Sequence, residues 1–303
     1  MKIIVAAGSG FLGKNLETYF TDKGHEVIIL TRSSKRSNEY HWDGETLGAW
    51  KNLLENTDVL INLAGKSVDC RYNDRNKKEI YDSRINSTKI LQKAVDQCVN
   101  KPKVWLNASS ATIYIHSETH LNTEENGITG DDFSMNICKS WEKEFFKQET
   151  ENVRKIALRT SIVLGNNGGA FQKLKMITRL GLGGKQGRGN QMVSWIHIHD
   201  FCRAVEFIID CETMSGPVNV TAPNPLSNEL FMNKLRNEMK IPFGLNAPVW
   251  QLEFASLFLK TETELLLKSR NVYPGKLMQN GFRFSYVDIE SVFKDLLSPR
   301  RIN

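Results

Sequence analysis

A doubly wound parallel α/β sheet, joined to a smaller and mainly helical C-terminal domain, is the fold class this sequence predicts. Three observations predict it: a strand, glycine turn and helix in the first 24 residues; strands alternating with helical patterns as far as residue 222; and a proline-punctuated, helical remainder.

The first element is the apolar run IIVAA at 3–7, which leads straight into Gly8, Ser9, Gly10, Phe11, Leu12 and Gly13. Leu12, Leu16, Tyr19 and Phe20 recur on one helical face, Gly24 stops the helix, and VIIL at 27–30 is a second strand. In that setting Gly8 is expected to reverse the chain, Gly10 to let backbone N–H groups approach a diphosphate, and Gly13 to let helix and strand pack closely. The start of such a helix attracts anions. A nucleoside-triphosphate loop is the rival, because Gly8, Gly13 and Lys14 fit G-x-x-x-x-G-K, but Asn15 stands where a hydroxyl would hold magnesium. Dinucleotide binding by a Rossmann unit is the expectation.

The second strand ends in Thr31, Arg32 and Ser33, without the Asp or Glu that would accept bonds from the ribose hydroxyls of NAD. A guanidinium fork beside hydroxyls, with Lys35 and Arg36 just beyond, suits the 2′-phosphate of NADP.

Further along, DVLINL at 58–63 reads as a buried strand running into Ala64 and Gly65, 77–99 as a helix, and 103–108 as a strand. A helix centred on Trp141 and Glu142 precedes a strand at 155–160; Gly165, Gly168 and Gly169 punctuate a turn; 170–180 is helical; and 194–199 resumes a strand before a helix from Asp200. The chain thus divides into a nucleotide domain at 1–165, rejoined by 193–222, and a substrate-side domain at 223–303. Ligands of parallel sheets lie outside the carboxyl ends of the strands. Leu63, Ala64 and Gly65 therefore face the adenosine side or serve close packing, while Ser109, Ser110, Thr112 and Tyr114 place hydroxyls near the nicotinamide or form a polar turn. Ser109 and Ser161 join the cofactor-facing set. The glycine-rich loop at 181–189, with Lys185 and Arg188, is either a mobile flap that presents cations or a solvated turn.

Composition excludes several classes. The 303 residues are 40% hydrophobic and 24% charged, ordinary for a globular chain. The net charge of +6 is spread out: Arg71, Arg75, Lys77 and Lys78 sit beside Asp74 and Glu79, a solvated helix face and not a nucleic-acid stripe. Cys70, Cys98, Cys138, Cys202 and Cys211 have no metal-type spacing and no leader precedes the first strand, so reduced thiols in the cytoplasm are expected. The region around Leu257, Phe258 and Leu259 is broken by Lys260, Glu262 and Glu264, so no membrane segment is expected. No metal site is expected either: His197, His199 and Cys202 lack a distant ligand to complete them. The expected partner is a small molecule, with a homodimer compatible.

The motifs AAGSGFLG, NLAG followed by Ser83, Arg84 and Ile85, SSATIY, LRTSIVLG, GLGGKQGRGNQMVSWIHIHD and LLLKSRNVYPGKLMQNGFRFSY span almost the whole chain. With them the sequence resembles an atypical, extended short-chain dehydrogenase/reductase of the NAD(P)-dependent epimerase/dehydratase superfamily, in its epimerase-like subgroup. The resemblance implies a Rossmann domain holding NADP(H), with Arg32, Leu63, Ala64 and Arg84 among the contacts, and a C-terminal domain that closes the cleft. Ala7 departs from the superfamily's G-x-x-G-x-x-G. Members use a Tyr phenol for proton transfer, a Lys four positions later and an orienting Ser. Ser110 matches the Ser, but alignment through Glu142 puts Ser134 at the Tyr position and Cys138 at the Lys position. Tyr19 and Lys23, spaced as Y-x-x-x-K, lie on the first helix and read as a decoy. Substitute proton donors are Tyr114 and Cys138, each against a packed, inert alternative; His197 reads as structural and Asp200 as a helix N-cap. Arg270, Lys276 and Phe282 are placed beside the cleft, and Leu265, Leu266 and Leu267 in the small lobe's core. Two functions follow from this set: an NADP(H)-dependent oxidoreductase or epimerase-like enzyme, or a non-catalytic NADP(H) sensor.

Overall fold

The computed structural model describes residues 1–251 and 267–298. Its strands are β1 (Lys2–Ala6), β2 (Glu26–Thr31), β3 (Glu39–His41), β4 (Val59–Asn62), β5 (Val104–Ser110), β6 (Arg154–Thr160), β7 (Ile162–Gly165), β8 (Gly168–Gly169), β9 (Met192–Val193), β10 (Trp195–His197), β11 (Gly216–Val220) and β12 (Leu226–Ser227). The helices are α1 (Phe11–Asp22), α2 (Asp74–Asp96), α3 (Phe133–Phe146), α4 (Ala170–Arg179), α5 (Ile198–Asp210), α6 (Asn228–Glu238), α7 (Gly275–Gln279) and α8 (Ile289–Leu297).

The main sheet has seven strands in the order β11-β6-β5-β4-β1-β2-β3, all pairs parallel. Alternation along β1 explains the layers. Ile3 and Val5 pack with Leu16 and Phe20 of α1 and Phe201 and Val205 of α5, while Ile4 and Ala6 face Ile90 and Leu91 of α2 and Phe145 of α3. Strand order reverses between β1 and β4, so the crevice outside their carboxyl ends is the topological switch point.

Three features differ from the sequence reading. Strand β3 was not foreseen. Strand β10 does not rejoin the main sheet: it pairs with β7, which also pairs with β8, and only β11 returns beside β6. Helix α5 starts at Ile198, two residues early, because His197 and not Asp200 is its N-cap, its ring accepting a bond from the His199 N–H.

The reason β10 diverges is a second core. Leu164, Phe171 and Trp195 pack with Phe231, Met232 and Leu235 of α6 and with Val292, Phe293 and Leu296 of α8. The small lobe therefore draws on β7, β10 and α4 as well as on the C-terminal helices. Leu265, Leu266 and the 257–264 stretch lie outside the described residues. No described helix is long and apolar enough to cross a membrane.

Candidate functional site

The glycine turn follows β1 at the switch point, and its shape comes from sterics at three positions. The left-handed conformation falls on Ala7, with φ 56°, and not on Gly8 as expected. Gly8 is required for space: a Cβ there would lie 2.8 Å from Ile29 and 2.9 Å from Val5. At Gly13 a Cβ would lie 2.2 Å from the Gly8 carbonyl oxygen, so the first turn of α1 rests on the loop backbone. Gly10, the N-cap of α1, faces open space with nothing within 4 Å of an added Cβ. That combination fits a dinucleotide diphosphate approaching the helix N-terminus. The Phe11 ring is wedged against Gly165, Gly168 and Gly169, which explains their clustering. Leu12 is half-buried and Ser9 exposed. Asn15 donates to the Phe11 carbonyl and pairs with Asn167, a structural use of the residue that ruled out the triphosphate loop.

At the end of β2, Thr31 is buried and donates its hydroxyl to Ser9 at 3.2 Å, tying strand to turn. Arg36 grips Glu17 with two bonds at 2.8 and 2.9 Å and also bonds Glu39. Arg32 is exposed, and among the described residues no carboxylate pairs with it. Of the two arginines after this strand, only Arg32 keeps its fork for a ligand. Beyond β4, Leu63 bonds to the Ala6 carbonyl, Ala64 is buried and Gly65 is exposed, its Cα hydrogen side covered by the Arg84 guanidinium at 3.0 Å from an added Cβ.

Arg84, on α2, donates to the carbonyls of Lys66 and Ile80 and lies 5.0 Å over the Trp141 ring. Burial pushes its pKa below the ordinary value, with Cys138, Tyr72 and Cys70 in its field. No carboxylate pairs with it among the described residues.

At the end of β5 the side chains divide sharply. Ser109 is buried and donates to Glu142 at 2.6 Å; Glu142 holds both Nε and Nη2 of Arg159, at 2.8 and 2.7 Å. Arg159 in turn donates to the Tyr114 phenol, which donates to Asn219. Burial works against the Arg159 charge, yet the Glu142 fork holds it above its ordinary range. Burial also raises the Tyr114 pKa, and at 1% exposure with its hydroxyl spent on both sides, Tyr114 is a strut and not a proton donor. Cys138 is buried and burial pushes its thiol up to about 12, which keeps it out of the thiolate form near neutrality. Ser110 is half-buried, accepts from the Thr112 N–H and donates to the Thr112 hydroxyl. Ser134 is buried, and its hydroxyl lies 3.4 Å from the phenol of Tyr72. Ser161 follows β6 and bonds to the Val220 carbonyl.

The remaining residues singled out in the sequence have structural partners. Tyr19 and Lys23 both clamp Glu206 of α5 at 2.6 Å. His197 stacks on Tyr286 at 3.9 Å and bonds Asp295, and Asp200 accepts from the backbone of Ser285 and Tyr286 and from Arg203. The 181–189 loop is laced to 245–247 by four backbone bonds, with Gln186 buried against Asn228 and Lys185 beside Glu229. Phe282 packs on Phe207 in the main core, Lys276 donates to the Ser215 carbonyl, and Leu267 lies against Gly187. Arg270 donates to the carbonyl of its neighbour Ser269. No group of three or more potential metal ligands occurs among the described residues. The buried Glu142–Arg159 pair and Tyr72 were not foreseen, and no local pattern links residues so far apart in sequence.

A seven-stranded parallel sheet, a glycine turn at its switch point and a second helical lobe define a Rossmann-type nucleotide-binding protein. The chain belongs to the NAD dependent epimerase/dehydratase family, whose model matches residues 3–220, and residues 247–296 match the domain of unknown function DUF1731. It is 33% identical over 306 residues to the epimerase family protein YfhF of Bacillus subtilis, covering 99% of each chain. It is also similar to the human epimerase family protein SDR39U1, solved with NADPH, at 27% identity and TM-score 0.89 over 98% of this chain and 99% of that one. The Thermus thermophilus UDP-glucose 4-epimerase, solved with NAD, shares the fold at 14% identity and TM-score 0.74, over 98% and 97% of the chains.

Proposed function

We propose that this protein binds NADP(H) and acts as an oxidoreductase or epimerase-like enzyme on a small molecule held between the strand ends and the C-terminal lobe. The observation that carries the cofactor reading is the pair of arginines after β2: Arg36 is consumed by Glu17 and Glu39, while Arg32 is exposed at the strand end with no acid beside it. A planar fork there suits a ribose 2′-phosphate. Gly8, Ser9, Gly10, Phe11, Leu12 and Gly13 would surround the diphosphate. Leu63, Ala64 and Gly65 would flank the adenosine, with Arg84 beyond them. Thr31 and Ser109 contribute by fixing the turn and the β5 end, Ser161 lines the far side, and Ser110 would orient a substrate oxygen. The bound nicotinamide supplies or accepts hydride. The relative solved with NADPH supports the choice of dinucleotide. The five free cysteines support a reducing, cytoplasmic setting.

Titration calorimetry of the purified chain tests this. NADPH should bind more tightly than NADH, and Arg32→Ala should erase roughly 10- to 100-fold of that preference, the value of one to two charge-assisted bonds. Failure of both dinucleotides to bind, or an unchanged ratio in the variant, overturns it.

The sensor reading is favoured by the sequence alignment through Glu142, which puts Ser134 and Cys138 where the phenol and ammonium are expected, and by the burial that keeps the Cys138 thiol protonated. A panel of carbonyls and quinones separates the two. Saturable NADPH oxidation, slowed by Ser110→Ala without loss of cofactor affinity, supports the enzyme; tight binding without turnover supports the sensor.

A further inference from the structure

Strands β2 and β3 are parallel neighbours, yet residues 32–38 alone connect them. Parallel strands ordinarily need a crossover of about a dozen residues or more, so this one has little slack. It opens with Arg32, the residue offered above to the ribose 2′-phosphate, and it is tied down at both ends. At the near end the Thr31 hydroxyl donates to Ser9 of the glycine turn at 3.2 Å and accepts from the Ser33 N–H at 3.4 Å.

The far end is held by two carboxylates from the flanking elements. Glu17, buried on α1, accepts two bonds from the Arg36 guanidinium at 2.8 and 2.9 Å and another from the Asn38 amide at 2.7 Å. Glu39, which opens β3, accepts from the backbone N–H groups of Lys35 and Arg36 at 2.6 and 3.1 Å and from Arg36 Nε at 2.9 Å. Ion pairs in open solvent hold little. A buried carboxylate that takes a two-pronged bond from one residue of a loop and a further bond from its neighbour fixes that loop against the helix. Arg32 therefore lies on a short stretch between two anchors, one on the glycine turn and one on α1. A loop ordered only when its phosphate arrives loses affinity to that ordering, and a loop already fixed does not.

We propose that Glu17 is a positioning residue for cofactor choice: by clamping Arg36 and Asn38 to α1, it holds the crossover so that Arg32 presents its fork to the 2′-phosphate. This rests on the NADP(H) reading above. Helix α1 then sets the spacing of two phosphate subsites at once, since its N-terminus at Gly10 is the diphosphate end and Glu17 holds the loop of the other.

Titration calorimetry with NADPH and NADH as probes tests it. Glu17→Gln and Arg36→Met should each lower the preference for NADPH over NADH about three- to tenfold, the cost of ordering a long side chain on binding, and leave NADH affinity unchanged. The two substitutions shift the local charge in opposite directions. A bare charge effect would tighten NADPH in Glu17→Gln and weaken it in Arg36→Met, whereas loss of the clamp weakens it in both. In an Arg32→Ala background neither should change the preference further, because both act through that fork. Tighter NADPH binding by Glu17→Gln, an unchanged preference in the single variants, equal loss of NADPH and NADH, or a loss that persists in the Arg32→Ala background overturns the proposal. A wild type that does not prefer NADPH sinks the cofactor reading instead, before any variant is compared. Circular dichroism checks each fold; Arg36 is exposed, so Arg36→Met with and without Arg32→Ala decides the matter should the buried Glu17→Gln not fold.

Discussion

Around the turn after β1 the cleft is shaped by backbone that leaves no room for a Cβ at Gly8 and Gly13. Around the ends of β5 and α3 it is shaped by side chains that meet across wide sequence separations, Arg159 with Glu142 over 17 positions and Tyr114 with Asn219 over 105. The first region does its work through main-chain geometry and so needs particular small residues at fixed spacing. The second does its work through pairing, and any residue of matching charge and reach can serve. Substitutions should therefore fail differently in the two: sterically and locally in the turn, electrostatically and globally in the network.

The largest expected effect lies in the network. Replacing Glu142 by Gln leaves the Arg159 guanidinium buried beside a neutral amide and releases Ser109 from a charged acceptor. Breaking one side of a buried pair costs about 3–5 kcal/mol. In a chain of this size that lowers Tm by about 5–8 °C. Tyr114→Phe, which leaves the ion pair intact, should cost only about 1–2 kcal/mol. Urea unfolding of both variants gives the comparison; equal losses would mean that the pair carries no special weight.

The glycine turn gives a sharper contrast within one motif. Gly13→Ala drives a methyl into the backbone of Gly8, which cannot swing aside as a side chain would, and should cost about 1–3 kcal/mol while weakening NADPH binding. Gly10→Ala meets open space and should leave Tm unchanged while, on the proposed cofactor reading, weakening NADPH at least tenfold, because the added methyl would sit where the diphosphate is proposed to approach. Should Gly10→Ala bind NADPH normally, the turn is not the diphosphate site.

This division also explains what could be read from the sequence. Strand alternation and the G-x-G-x-x-G spacing are local, so the nucleotide half, the carboxyl-end placement of Ser110 and the position of Arg32 after β2 follow from short stretches, whereas the capture of Arg36 by Glu17 does not. The diversion of β10 does not: it depends on Trp195 burying itself with Phe231 and Phe293, contacts that no window around 195 contains. Asp200 looked like an N-cap because acidic residues open helices, but it is fully buried and serves the backbone at 285–286 instead. The Tyr72 and Ser134 contact is equally remote, with 62 positions between the two.

Lys155 extends the comparison to pH. It is buried on β6, bonded to Gln92 and to the carbonyls of Phe145 and Gln148, and burial lowers its pKa to about 8. Below pH 8 both folded and unfolded chains carry the proton and the burial penalty is in full force. Above it the folded chain sheds the proton first, so stability rises with pH towards the ordinary lysine value of 10.5. Cys138 and Cys202 act in the opposite sense: burial raises both from 9.0 to about 12, so the stability they contribute is whole below 9 and is lost as pH climbs towards 12. Stability should thus peak near pH 9, with a net rise of only about 0.3 kcal/mol from pH 8, because the two thiols offset most of the gain from Lys155. Lys155→Met should flatten that rise and leave the alkaline fall in place. A rise that survives the substitution assigns it to another group.

The smallest effect returns to the turn. Ala7 adopts φ 56°, a left-handed conformation that costs a residue with a Cβ about 1 kcal/mol, whereas glycine adopts it freely. Ala7→Gly removes that strain but adds disorder to the unfolded chain worth about 0.5–1 kcal/mol, so the two nearly cancel. Thermal unfolding should show a shift within about 2 °C of zero, and calorimetry an unchanged NADPH affinity. The near-cancellation explains how an alanine is tolerated in this left-handed conformation: at residue 7 only conformation is at stake, while at Gly8 and Gly13 there is no space for a methyl at all. A gain of several degrees in Ala7→Gly would show instead that the turn is held under strain by the strands on either side of it.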